Sequence, residues 1–198
     1  MNFSAIILAA GASQRMGSPK PLLEFQGETF LDRLIGIFGP LVEEVIVVLG
    51  HEADAIRSAA RRADQAIFVR NPAPERGQLS SLQCGLRAVR QTIDGIVFTP
   101  VDHAAVRPST VARLLAEFER SGLAVAAPRF DAKNGHPVLI RPRVAERLLE
   151  LPESSAAREV IHAYAGETLY LDVDDPAVIA EINDPESYRR LCASARGE

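Results

Sequence analysis

Two cations set in a run of small residues, Arg15 and Lys20, mark the first place in this 198-residue chain where residue types and spacing suggest chemistry. Gly11 and Gly17, with Ala9, Ala10, Ala12 and Ser13 around them, leave backbone N–H groups uncovered by bulky side chains, so a phosphate can approach closely. Arg15 and Lys20 add positive charge, and the whole suits a triphosphate. The Gly11 to Gly17 spacing, with no Lys directly after Gly17, fits neither the G-x-x-x-x-G-K-[ST] phosphate loop nor the dinucleotide pattern G-x-G-x-x-G. The plainer alternative is a Gly/Ser/Pro turn with two solvated cations. Asp102, just beyond the apolar run Ile96–Thr99, is the first acidic candidate, because open parallel sheets gather ligands at the carboxyl ends of their strands. His136, read alone, is a turn histidine before Pro137; His51 and His162 read as ordinary surface or packing residues.

The elements that must position these residues follow from periodicity. Ala5-Ile6-Ile7-Leu8 is a short, wholly apolar run, expected as a central strand buried on both faces. Pro21 to Phe25 reads as extended, and Thr29 is placed to cap a helix that Gly39-Pro40 stops. Strands are expected at Val45–Leu49, Ala66–Val69, Ile96–Thr99, Leu123–Ala127 and Leu169–Val173, and helices at Ala53–Arg62, up to about Arg90, at Thr110–Arg120, from Pro142, and at Ala156–Ala165. A loop is expected at Arg129–Asn134, an extended segment at Gly135–Ile140, and a final helix is entered through Asp184-Pro185. The Ser80-Ser81 pair, read alone, is an N-cap. Alternating strand and helix is the pattern of an α/β fold with a parallel sheet covered on both faces.

A chain of this length makes one domain, since compact domains run to roughly 250 residues. Hydrophobic residues at 47% and charged residues at 24% fall in the globular range and suggest neither disorder nor a membrane protein. No basic, apolar leader opens the chain, so a cytoplasmic location is expected. Cys84 and Cys192 are far apart and lack metal-ligand spacing, which favours reduced thiols. A net charge of -4 argues against a general nucleic-acid binder.

Leu8-Ala9-Ala10-Gly11, Arg15-Met16-Gly17 and Lys20 resemble the N-terminal signature of the nucleotidyltransferases, L-A-A/G-G-x-x-x-R-M-G-x-x-K. Three further segments resemble the molybdenum-cofactor type within that group: Asn71-Pro72 with Gly77, Ser81, Leu82, Gly85 and Leu86; Gly135-His136-Pro137-Val138; and Ile182-Asn183-Asp184-Pro185-Glu186. The resemblance implies a single Rossmann-like three-layer domain with a mainly parallel mixed sheet and the nucleotide over its carboxyl edge. It implies nucleotide contacts at Leu8, Ala9, Ala10, Gly11, Ser13, Arg15, Lys20, Asn71, Gly77 and Ser81. Arg15 would then hold the β- and γ-phosphates, and Lys20 would lie between the α-phosphate and the incoming phosphate. Asp102 and Asn183, each at an element end, would hold Mg2+, which prefers hard oxygen ligands. Read singly, each could serve only a turn, and Asp174, Asp175, Glu181 or Asp184 could replace Asn183. His103, where relatives carry Gln or Met, and His136 are acceptor-binding candidates. Asp102-His103-Ala104 and the segment 153–158 depart from the cytidylyl pattern where the acceptor should bind.

The implied reaction moves a nucleoside monophosphate onto molybdopterin or a related phosphorylated acceptor, releasing pyrophosphate. Ala10 looks like the cytidylyl members, where guanylyl members tend to carry Gly, so CTP is favoured over GTP. Guanylyl or sugar-phosphate nucleotidyl transfer is the alternative within enzymes. A non-catalytic molybdenum-cofactor carrier, delivering to a molybdenum hydroxylase, is the alternative from another class.

Overall fold

The computed structural model describes residues 2–13, 16–90, 92–152 and 155–194. Strand β1 (Phe3–Ala9) is buried from end to end, as an apolar run inside a parallel sheet must be. A 3-10 turn at Lys20–Leu22 and a hairpin of β2 (Glu24–Phe25) and β3 (Glu28–Thr29) lead into α1 (Phe30–Phe38). The Thr29 hydroxyl accepts from the Asp32 amide at 3.0 Å, satisfying a first-turn donor that the helix cannot. Next come β4 (Glu44–Leu49), α2 (Ala53–Ala59), β5 (Ile67–Arg70), α3 (Gln78–Ala88), β6 (Gly95–Pro100) and α4 (Pro108–Ser121). The chain continues through β7 (Val125–Phe130), β8 (Lys133–Asn134), β9 (Val138–Ile140), α5 (Pro142–Glu150), α6 (Ala157–Ala163), β10 (Thr168–Asp172) and α7 (Pro185–Ser194).

The main sheet runs in the order β10-β7-β9-β6-β1-β4-β5, with β8 paired to β7. β1 lies parallel to both β4 and β6, while β9 enters antiparallel between β6 and β7. The two-residue period of β1 divides its side chains between two cores. Ala5, Ile7 and Ala9 pack with Leu31, Leu34 and Ile35 of α1 and with Leu114 and Phe118 of α4. Ile6 and Leu8 pack with Leu79, Leu82 and Leu86 of α3 and with Val144 and Leu148 of α5. Full burial of a Leu or Ile side chain is worth about 1.5–3 kcal/mol, so a one-residue slip of β1, which would exchange the two sets, is strongly opposed. The mixed, mainly parallel sheet between helical layers is the expected architecture.

Some elements differ from expectation. The helix expected over 53–62 ends at Ala59, and the Arg62 amide instead donates to Asp32 Oδ1 of α1 at 2.9 Å. The segment expected as a loop over 129–134 is the β7–β8 hairpin, turning through Asp131 and Ala132 at positive φ. The expected extended piece after Lys20 is a 3-10 turn before it becomes β2. Ser80 and Ser81 lie inside α3, because Gly77, at φ 99°, is the residue that turns the chain into the helix.

Candidate active site

The carboxyl ends of β1, β4, β5 and β6 open onto a cleft of about 710 Å³. One wall is the small-residue loop after β1, from Leu8 to Ser13. Pro74, Glu75, Gly77, Gln78 and Ser81 form another, and Pro100 to Asp102 with Lys20 and Asn183 form a third. Of the residues expected to meet a nucleotide, Leu8, Ala9, Ala10, Gly11, Ser13, Lys20, Gly77 and Ser81 line this cleft together. Arg15 lies outside the described residues, as do Glu153 and Ser154 of the departing segment.

Lys20 starts the 3-10 turn after the loop, and its amide donates to the Ser13 hydroxyl at 2.9 Å, so Ser13 ties the two ends of the loop together. The Lys20 ammonium donates to Asp102 Oδ2 and to Asn183 Oδ1, each at 2.8 Å. Asp102 sits in a 3-10 turn after β6. Asn183 is delivered from the far end of the chain by a strap over 173–183, anchored by buried Val178 and Ile182. Behind Asn183, Asp184 caps α7, its Oδ1 accepting from the Ser187 amide at 2.8 Å. Those hydrogen bonds hold the Asp184 carboxyl below its usual range. Asp175 is turned inward, its Oδ2 accepting from the Arg107 amide at 2.9 Å and the Thr110 hydroxyl at 2.7 Å. Among the described residues, none of Asp174, Asp175, Glu181 and Asp184 lines the cleft; Asn183 is the residue of this stretch that does.

The donor set can be tested against a divalent cation. A carboxylate oxygen and an amide oxygen converge on one positive charge, the Lys20 ammonium, and hard oxygens aimed at a shared cation are what magnesium or manganese requires. Among the described residues there is no cluster of three or more His, Cys, Asp or Glu suited to a metal, so ligand oxygens and water would complete a shell around these two.

Three expected site residues, Asn71, His103 and His136, stand back from the cleft wall. Asn71 is 2% exposed, and its amide nitrogen donates to the hydroxyls of Ser80 and Ser81 at 2.9 and 3.0 Å while its oxygen accepts from the Ala73 amide. It braces the loop over 71–81 from behind, because a buried amide must spend its polar atoms on neighbours. His103 is 3% exposed, hydrogen-bonded to the Ala177 backbone, and its ring lies 4.5 Å from that of His136. Burial lowers the pKa of His103, though Asp102 pulls the other way. His136, edge-on to Phe98, is pushed by burial down to about 3, with His103 adding to the shift. Its amide donates to the Val178 carbonyl at 2.8 Å, and a Cβ on Gly135 would meet that same oxygen at 2.2 Å, so only glycine lets the strap close over this segment. The histidine pair therefore lies under the strap.

His51, read as an ordinary histidine, lines the cleft with Glu75 and Gln78. Its position was open to inference: it follows β4, the strand beside β1, at the ligand-bearing edge.

A family model for the MobA-like NTP transferase domain matches residues 5–168. The chain belongs to this family. As a MobA-like member it is 22% identical to the molybdenum cofactor cytidylyltransferase of Escherichia coli over 183 residues, 92% of each chain. It is 29% identical to the bifunctional protein GlmU of Bifidobacterium longum subsp. infantis over 163 residues, which is 78% of this chain and 35% of that protein. The chain thus spans about a third of the length of its GlmU relatives. Among solved structures, Rv0371c from Mycobacterium tuberculosis superposes with a TM-score of 0.85 at 27% identity, covering 98% of both chains. A manganese complex of that protein superposes at 0.82 and 25% identity, covering 98% of this chain and 100% of that one.

Proposed function

We propose that this MobA-like chain transfers a nucleoside monophosphate, CMP from CTP, onto molybdopterin or a related phosphorylated acceptor. An acceptor phosphate oxygen attacks the α-phosphorus, forming a new P–O bond as the bond to the β-phosphate oxygen breaks and pyrophosphate departs. The observation that supports the reading is the convergence of Lys20, Asp102 and Asn183 at the end of the small-residue loop, two oxygens and a positive charge lining one cleft.

Phosphoryl chemistry of this kind depends on positioning and charge neutralisation, and the protein supplies both. The uncovered backbone from Ala9 to Ser13 would receive the triphosphate, with Arg15 on its β- and γ-phosphates. Lys20, released from Asp102 and Asn183, would neutralise charge between the α-phosphate and the acceptor. Asp102 and Asn183 would hold Mg2+, which when bound supplies Lewis-acid neutralisation of the phosphate oxygens. CTP is favoured over GTP by Ala10 and by the likeness to a cytidylyltransferase. His103 and His136, beneath the strap, would shape the acceptor side indirectly. A cytoplasmic location fits the absence, among the described residues, of a helix long and apolar enough to cross a membrane.

The test is pyrophosphate release and product mass with CTP and GTP across molybdopterin and sugar-phosphate acceptors. Release with CTP and molybdopterin is the expected outcome. Turnover confined to GTP, or to a sugar phosphate, would replace the base or the acceptor; nucleotide binding without turnover on any acceptor would leave a carrier.

A further inference from the structure

Asn183 presents an oxygen to the cleft only if its amide is turned the right way. An amide offers an acceptor oxygen on one side and a donor NH2 on the other, and rotation by half a turn exchanges them. In the structure Asn183 Oδ1 accepts from the Lys20 ammonium at 2.8 Å, while Nδ2 donates to Glu181 Oε2 at 2.9 Å. The opposite orientation would set the NH2 against a cation and the oxygen against a carboxylate, two repulsive contacts in place of two charge-assisted hydrogen bonds.

We infer that Glu181 is a positioning residue for cation binding: its carboxylate fixes the Asn183 amide so that the oxygen faces the cleft. The inference rests on the proposed cation site at Asp102 and Asn183. Glu181 does not line the cleft and is exposed, so it has no contact through which to act on a ligand directly. The backbone of Asn183 is held independently of it, through buried Ile182 and through the Ser187 hydroxyl, which accepts from the Asn183 amide N–H at 3.2 Å. Loss of Glu181 should therefore leave the Asn183 backbone in place and remove the partner that orients its amide once a cation displaces Lys20. Groups that orient a metal ligand commonly contribute about 10–100-fold in metal affinity.

The experiment is a titration of Mn2+ alone into the full chain, read by loss of the free-ion electron paramagnetic resonance signal, with circular dichroism confirming the fold. Glu181→Ala should weaken Mn2+ binding by about tenfold, at the lower end of that range. Glu181→Gln, which keeps an acceptor oxygen without the charge, should stay within about threefold of wild type. In an Asn183→Asp background both oxygens are equivalent and one necessarily faces Glu181, so Glu181→Ala should bring no loss of affinity there. Unchanged affinity in Glu181→Ala, or an equal loss in Glu181→Gln, would overturn the inference, the second by showing a charge effect. A different failure belongs to the site itself: Mn2+ binding that survives Asn183→Ala would remove Asn183 from the cation site.

Discussion

Lys20 occupies the place between Asp102 and Asn183 that the proposed function gives to a divalent cation. An ammonium and a metal ion cannot share those two oxygens, so binding of the ion has to release the lysine, and the released lysine is then free to meet phosphate. Removing that competitor should show in the free protein. Lys20→Met is expected to tighten Mn2+ binding by on the order of tenfold or more, since a full positive charge a few ångströms away is unfavourable even at an effective dielectric constant of about 20. The same variant should lose about 10²–10³ in turnover, the usual scale for removing one preorganised charge-stabilising group. Unchanged Mn2+ affinity in Lys20→Met would contradict the competition. Arg15→Ala should lower kcat more than it raises KM for the triphosphate, because a cation aimed at the leaving pyrophosphate matters most as charge develops there. Steady-state kinetics with an unchanged kcat and a raised KM would reduce Arg15 to a ground-state anchor.

The strap over 173–183 is the element on which the site depends, although it carries little regular structure of its own. Asp175 fastens its start to the N-terminus of α4, binding the amide of the N-cap residue Arg107 and the Thr110 hydroxyl, where Arg107 brings no side-chain cap of its own. Its second oxygen accepts from the Ala177 amide at 3.2 Å and folds the 3-10 turn Pro176–Ile179. Asp175→Ala would leave the Arg107 amide and Thr110 hydroxyl without their partner in a buried place. The expected cost is about 2–3 kcal/mol of stability, which for a chain of this size lowers the melting temperature by about 5–10 °C. Calorimetry checks it, and a melting temperature within a degree of wild type would show that the strap is held elsewhere. The loop over 71–81 is braced in a comparable way. Asn71 and Ser80 engage each other and the Gly77 carbonyl, so part of a loop whose composition suggests mobility is tied to the sheet edge.

At the scale of the whole molecule, the two histidines under the strap give the fold a pH dependence. The ordinary value of 6.5 for His136 falls to about 3 in the folded chain through burial, with His103 adding to the shift. Above about pH 6.5 the ring is neutral folded and unfolded, and contributes nothing to the slope. As pH falls through 6.5 the unfolded chain takes up a proton that the folded chain refuses, so stability decreases and goes on decreasing until the folded value is reached. His136 alone should cost about 2 kcal/mol between pH 7 and pH 5, and His103, shifted in the same direction, adds to it. Urea midpoints at the two pH values check this, and His136→Gln should flatten the difference; an equal slope in both proteins would count against it.

How much of this was legible beforehand follows a physical division. The apolar run Ala5–Leu8, the small-residue loop and Lys20, the Thr29 cap and the helix start at Pro185 are local patterns, and local patterns decide local structure. Placing Asp102 and Asn183 at element ends followed from the alternation of strand and helix, and the family resemblance suggested that they belong together. Their meeting on one ammonium was decided by tertiary structure, because the contacts join residues 82 and 163 positions apart, and no periodicity encodes which side chains a sheet edge brings face to face. The same holds for the residues that stand back from the cleft or enter it unexpectedly. His103, Asn71 and Asp175 are polar groups buried by segments that pack over them from elsewhere in the chain, and His51 reaches the cleft because β4 lies beside β1. The sequence by itself determined the strands, the phosphate-suited loop and the residue types of the site; only the folded chain decided which of those residues face the cleft, since burial and hydrogen-bond partners are set by packing between distant segments.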